Sequence, residues 1–167
     1  DVSLKVIELP FINSLFKSDL LSSGGEVPEG HYEDLSMKRT VVPFRNGIML
    51  SIAAGLAESL AADLIALGNH AGDHAIYPDC REDFTRFMAL AIENGTYAQV
   101  KLWSPFLRKT KAEIAHIGSQ LDAPFQLTWS CYKGGKRHCG KCGTCVERIE
   151  AFTNAGIKDP TIYEVQS

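Results

Sequence analysis

The run Cys131-Tyr-Lys-Gly-Gly-Lys-Arg-His-Cys139-Gly-Lys-Cys142-Gly-Thr-Cys145 constrains this chain more than any other stretch, because it packs four thiols into fifteen residues as C-x7-C-x2-C-x2-C. A C-x2-C turn is just long enough to bring two sulfurs onto one ion, and Zn²⁺ takes four tetrahedral ligands at about 2.3 Å from sulfur. Cys131, Cys139, Cys142 and Cys145 are the expected ligands of one structural zinc per chain. Four protein sulfurs close the shell and leave no position for a hydrolytic water. Two disulfides or unconnected thiols are the alternatives. Gly140 and Gly143 each follow a cysteine and are expected to let backbone N–H groups turn toward the sulfurs. Lys133, Lys136, Arg137, Lys141 and Arg148 are expected to offset the negative charge of the centre.

A net charge of −3 and a pI near 6.0 leave no basic surface, which argues against nucleic acid as a direct partner. Five cysteines is an odd number, and four crowd together in a chain without secretory features, which favours metal over disulfides and a cytoplasmic location. No signal peptide and no apolar run of about 18 residues is read, so no membrane span is expected.

Along the chain, β-branched Val2–Leu9 reads as a strand closed by Pro10. Phe11, Ile12, Leu15, Phe16 and Leu20 recur at helical spacing up to Gly24-Gly25. Residues 26–40 have no periodicity and read as a lid, a binding loop or disorder. A mostly apolar, largely buried helix is predicted over 47–62, a short central parallel strand over 62–68, and a helix over 82–93 stopped by Asn94-Gly95 in a left-handed turn. Val100–Trp103 is a further strand. Thr110-Lys-Ala-Glu113 is a capping box opening a helix that bears Ile114, Ile117 and Leu121 and ends at Pro124. A last helix over 146–154 should turn Ile149 and Phe152 inward. The order is that of an α/β fold with a parallel sheet, divided into a nucleotide and substrate domain over 1–127 and a zinc-binding segment over 128–167.

Ligands of open parallel sheets bind beyond the carboxyl ends of strands. The loop Asn69–Arg81 follows such a strand and packs carboxylates, imidazoles, a phenol, a thiol and a guanidinium into thirteen residues. Asp73 and Asp79 suit a phosphate-bound metal or a purine-like ligand, Arg81 suits anionic charge, and His70 and Tyr77 are candidate substrate contacts. His70 and His74 are also candidate acids or bases. Cys80 is a candidate nucleophile. Arg45-Asn46 opens a helix, where anions are favoured. Lys111 in the first turn of its helix opposes the dipole, which hints at an anionic ligand. Leu21-Ser22-Ser23-Gly24-Gly25-Glu26 is similar to the start of an S-G-G-x-D-S phosphate loop but lacks the Asp-Ser, follows a predicted helix and not a strand, and reads as a helix terminus.

Together, Glu26–Gly30, the V-P-x-R-N element at Val42–Asn46, the G-x4-D-x3-Y-P-D-C-R element at Gly68–Arg81, T-K-A-E at Thr110, T-W-S-C-Y at Thr128–Tyr132 and the four cysteines resemble the 7-cyano-7-deazaguanine synthase family of queuosine biosynthesis. The resemblance spans nearly all of residues 1–163. It implies an α/β, PP-loop, Rossmann-like domain with a C-terminal zinc knuckle. It also implies a homodimeric ATP-dependent ligase of tRNA modification that turns 7-carboxy-7-deazaguanine and ammonia into the nitrile. ATP, with Mg²⁺, activates the carboxylate as an acyl adenylate, ammonia forms the amide, and a second activation dehydrates it. The site residues carried over are Arg45, Asp73, Asp79, Arg81 and Lys111 for catalysis, Asn46, Tyr77 and His70 for substrate, and the four cysteines for zinc. The family's S-G-G-x-D-S loop does not occur in the 167 residues. The start at Asp1 and the short sheet lead to the expectation of about fifty further residues upstream, by the size of one βαβ unit. The alternatives are an inactive or split fragment acting as a zinc-stabilised binding module, and a related adenylating tRNA sulfurtransferase.

Overall fold

The computed structural model describes residues 4–32 and 34–164. Its centre is a pair of short apolar strands, β1 (Leu64–Ala66) and β2 (Lys101–Trp103), running parallel with Leu64 opposite Lys101, Ile65 opposite Leu102 and Ala66 opposite Trp103. Parallel strands need a crossover, and the helix over Glu82–Gly95 supplies it. Side chains alternate along a strand, so Ile65 and Leu102 share a face. They pack into a core with Leu50, Ala54 and Ala57 of the helix Arg45–Ser59, with Ile92 of the crossover helix, and with Val100, which is fully buried. Leu64 and Trp103, on the other face, remain half exposed.

In chain order the α-helices are α1 (Pro10–Leu15), α2 (Arg45–Ser59), α3 (Glu82–Gly95), α4 (Lys111–Gln120) and α5 (Gly143–Asn154). The capping box of α4 forms as expected: Glu113 N donates to Thr110 Oγ1 at 3.2 Å and Thr110 N donates to the Glu113 carboxylate at 2.7 Å. α5 packs along α4, and Phe125 meets Phe152 edge to face at 4.9 Å, so the C-terminal helix and the residues before the cysteines share a packed contact.

Several expectations are corrected. No strand forms over residues 4–9; residues 1–3 of that expected strand lie outside the described residues. Leu4 and Val6 are 85% and 79% exposed, and β propensity acts through packing on a neighbouring strand that these side chains do not find. α1 stops at Leu15, five residues before Leu20, and buries nothing. The Ser22–Glu26 segment is therefore not a helix terminus but a turn, with Gly25 N donating to the Asp19 carboxylate at 3.2 Å. Residues 26–40 are not structureless. Gly30 N donates to Lys141 O at 3.1 Å, Glu29 bridges Cys142, and Leu35–Thr40 coils into a 3-10 helix with Met37 and Thr40 buried.

α2 is apolar on most sides as expected, but it buries only one stripe, Gly47, Leu50, Ala54 and Ala57, and Met49 is half exposed. The stretch Leu35–Ser59 is long and apolar enough by composition to cross a membrane. It is broken before α2, where Phe44 takes the left-handed conformation (φ 53°), and α2 itself has 15 residues against the roughly 20 a span needs. α3 includes Gly95, and the left-handed residue after it is Gln99. α4 ends at Gln120 with Asp122 left-handed, ahead of Pro124, and Leu121 is exposed. α5 begins at Gly143 and turns Cys145, Arg148, Ala151 and Phe152 inward; Ile149 is 40% exposed because it lies at the edge of that stripe.

Candidate functional site

Two neighbouring sites emerge: a cysteine centre at the start of α5, and a cleft between it and the loops that follow β1. The four sulfurs lie within 4.8 Å of one another, and all four cysteines are buried. Cys139 Sγ and Cys145 Sγ are 3.9 Å apart, close to the edge of about 3.8 Å in a tetrahedron with 2.3 Å metal–sulfur bonds. Every cysteine is unbridged, which removes the disulfide alternative. The donor set fits one tetrahedral metal ion.

Backbone N–H groups turn toward the sulfurs there. Lys141 N and Cys142 N donate to Cys139 Sγ at 3.4 and 3.3 Å, and Cys139 N donates to Cys131 Sγ at 3.4 Å. Gly140 makes the turn at φ 71°. Gly143 serves a different purpose from the expected one: a Cβ there would sit 2.8 Å from Met37 Sδ, so glycine lets the 3-10 helix over Leu35–Thr40 close onto α5. Of the expected compensating cations, Lys133 pairs with Glu29 and is still drawn by Cys139 and Cys142, whereas Arg148 is buried against Asp159.

The adjoining cleft, of ≈ 320 Å³, brings together Arg45, His70, Asp73, Tyr77 and Lys111 from the expected site. Asn46 lines a smaller recess that shares Arg45, Asp73 and Cys80 with it. Asp79 and Arg81 line neither. Asp79 is buried and accepts from Asn46 N at 2.8 Å, so it caps α2, whose N-terminus had been read as an anion site. The protein supplies its own carboxylate to that helix end. Arg81 is exposed, with Nε donating to His74 O at 3.0 Å. Lys111 reaches Glu147 Oε2 at 2.6 Å, so the anion that its helix position called for is present in the chain. Burial pushes the Glu147 carboxyl above its usual range, and Lys111 opposes that shift. The Arg45 guanidinium has no hydrogen-bond or ion-pair partner among the described residues, its backbone N donating to Val42 O at 3.3 Å.

Asp73 is held from two sides. Tyr32 OH donates to Oδ1 at 2.9 Å, and His70 Nε2 lies 3.3 Å from Oδ2. His70 Nδ1 accepts from Gly72 N at 3.1 Å, which places the ring proton on Nε2, facing Asp73. Burial lowers the His70 pKa and keeps the ring neutral. A hydroxyl relay flanks this group. Thr40 Oγ1 donates to Met37 O at 2.7 Å, which leaves Tyr77 OH to donate to Thr40 at 2.8 Å and Tyr132 OH to Tyr77 at 3.3 Å. Trp129 lines the cleft with its indole N–H tied to Cys131 O at 2.8 Å, backed at 4.2 Å by buried His138.

Cys80 is buried against Asn46 Nδ2 at 3.2 Å, and burial pushes its thiol up to about 12. At neutral pH it is protonated, which opposes the nucleophile role. Cys80→Ala is expected to cost less than about 1 kcal/mol of transition-state stabilisation, under about fivefold in turnover. Steady-state rates check this, and a dead variant restores the thiol-dependent sulfurtransferase alternative.

The profile described as "Queuosine biosynthesis protein QueC" matches residues 1–156. The chain belongs to the QueC family. A relative in Porphyromonas gingivalis (strain ATCC 33277), named 7-cyano-7-deazaguanine synthase, is 58% identical over 159 residues, 95% of this chain and 72% of the relative. Relatives with the same name in Desulfotalea psychrophila and Caldicellulosiruptor bescii are 52% and 46% identical, covering 96% and 99% of this chain and 74% and 75% of their own lengths.

Within this QueC chain, sequence reasoning gave no role to Tyr32, Trp129, Tyr132 or Glu147. Trp129 and Tyr132 sit in the T-W-S-C-Y motif, so a signal existed. Tyr32 lay in a loop with no periodicity, and Glu147 is 36 residues from the lysine it pairs with.

Proposed function

We propose that this chain acts as a 7-cyano-7-deazaguanine synthase, an ATP-dependent ligase that converts 7-carboxy-7-deazaguanine and ammonia to the nitrile. The observation that carries this reading is the charge pattern of the cleft: one acid, Asp73, set against the unpaired guanidinium of Arg45 and against Lys111, which shares its charge with Glu147, beside the ring of Trp129. A deazaguanine acid carries a donor edge, a carboxylate and a flat ring, and each finds its chemical complement there. In this reading Arg45 and Lys111 orient the carboxylate and stabilise charge that develops on it as it becomes an acyl adenylate and then an amide. His70 and Tyr77 line the substrate space, Asn46 fixes the Pro78–Cys80 turn through a 3.0 Å bond to Asp79 O, and Asp79 and Arg81 support the loop. Mg²⁺ accompanies ATP as a substrate complex. No phosphate-cradling step is assigned to these 167 residues, since Ser22–Glu26 folds back on Asp19 and not toward a strand end.

The cysteines are assigned to one structural zinc, held by Cys131, Cys139, Cys142 and Cys145, whose chemistry is to tie the 128–167 segment together, so that its Trp129 and Tyr132 face the substrate with the loops of residues 1–127. Five unbridged thiols suit a reducing compartment such as the cytoplasm. A homodimer is proposed with the family, checked by light scattering.

The test is calorimetric binding of 7-carboxy-7-deazaguanine followed by turnover with ATP, Mg²⁺ and ammonia, read by mass spectrometry of the nitrile. Arg45→Ala and Lys111→Ala are each expected to weaken binding about tenfold or more, the worth of a charge-assisted hydrogen bond. Equal affinity for 7-deazaguanine without the carboxylate would sink the reading.

A further inference from the structure

We propose that Asp73 is the specificity-determining residue of the cleft, reading the N1–H and 2-amino edge of the deazaguanine through both carboxylate oxygens. The inference rests on the reading above and assigns Asp73 to base recognition in place of metal or nucleotide-phosphate binding.

Three observations carry it. First, Asp73 is the one acid among the described residues lining the cleft, and a guanine-type edge presents two adjacent donors whose complement is a carboxylate. Second, its orientation is fixed. Tyr32 OH occupies one lone pair of Oδ1 and His70 Nε2–H faces Oδ2, so each oxygen keeps a free acceptor position in a side chain only 17% exposed. A metal ligand of this kind would be expected beside further acids, and Asp79, the other candidate, is committed to the N-terminus of α2. Third, the surroundings suit a flat ring with a donor edge. Trp129 is 51% exposed with its ring plane held by Cys131 O and His138, and neutral His70 brings no positive charge to compete for Asp73.

Discrimination follows from unpaired groups. An analogue without the 2-amino group leaves an acceptor of Asp73 buried without a donor, and sites built to hydrogen-bond one substrate group reject analogues lacking it strongly.

The experiment compares binding of 7-carboxy-7-deazaguanine with that of its 2-desamino analogue in the wild-type chain, Asp73→Asn and Tyr32→Phe, together with the KM for Mg·ATP. Wild type is expected to prefer the 2-amino compound by about 100-fold or more. Asp73→Asn should lose most of that preference with the KM for Mg·ATP changed by less than about threefold. Tyr32→Phe, which keeps the ring but releases Oδ1, should fall between them and carries the test if Asp73→Asn does not fold. A raised KM for Mg·ATP with discrimination intact in Asp73→Asn overturns the inference in favour of a metal role, and unchanged discrimination in Tyr32→Phe with Asp73→Asn unfolded overturns it too. Wild type that binds both compounds equally removes the inference alone, whereas wild type that binds neither removes the ligase reading along with it.

Discussion

Cys142→Ala is expected to strip the metal from the chain and unfold the segment that follows it. Cys142 is fully buried, and it also receives Thr144 Oγ1 at 3.3 Å at the start of α5. The free energy of binding structural zinc is folding free energy, about 10–16 kcal/mol in small zinc domains, because the site does not exist in the unfolded chain. With three thiols left, metal content should fall from one per chain to almost none. α5 then loses the anchor at its N-terminus, and the contacts that place Trp129 and Tyr132 go with it. Even a loss of about 5 kcal/mol lowers Tm by roughly 10 °C or more at this chain length. Metal analysis by mass spectrometry alongside a thermal melt checks this. A metal-free variant with an unchanged melt would show that the cluster is not a structural metal site.

Arg148→Met is expected to be the most damaging single change outside the cysteines. The guanidinium is 7% exposed and makes 3.1 and 3.2 Å bonds to both oxygens of Asp159, a 2.7 Å bond to Thr128 Oγ1 and a 3.3 Å bond to Phe125 O, with its face over Phe152. Removing one partner of a buried pair leaves the other charge uncompensated, at a cost of about 3–5 kcal/mol. The double variant Arg148→Met with Asp159→Asn should recover much of that loss, because no charge is then stranded. Chemical denaturation of the single and double variants measures the difference, and a loss under about 1 kcal/mol in the single variant would contradict it.

The same pair carries a pH signature. Burial pushes the Asp159 carboxyl up, but its bonds from Tyr163, Arg148 and Thr161 outweigh burial and hold it below the ordinary aspartate value. A carboxyl depressed in the folded state stabilises fully above its unfolded pKa of about 3.9, and the contribution is lost as pH falls through the folded value. Stability of the parent chain should therefore drop with acid below about pH 4 more steeply than that of Arg148→Met.

Legibility in the sequence followed the range of the interaction. The capping box at Thr110 and the cysteine quartet were readable because their partners lie within a few residues, where helix and turn geometry decide what meets what. β1 and β2 were readable from short apolar runs, whereas Val2–Leu9 was misread because the same residue types had no strand to pack on. Ile149 was read as inward beside Phe152, but it flanks the stripe that Cys145, Arg148, Ala151 and Phe152 bury and stays half exposed. The stretch from Glu26 looked unstructured since nothing in it is periodic; its described residues are held by distant partners, Gly30 by Lys141, Glu29 by Cys142 and Tyr32 by Asp73.

By itself the sequence determined the metal-binding pattern, the family and the loop after β1 as the place of the site. Tertiary structure alone decided what each group there is free to do. Asp79 was withdrawn from the cleft to cap a helix 33 residues earlier, Lys111 was matched with Glu147, and Asp73 was aimed by Tyr32 from 41 residues away. Such pairings leave no periodic trace in the chain, because they exist only after the intervening segments have packed and closed long loops, and the entropy of that closure depends on loop length and not on which partners meet.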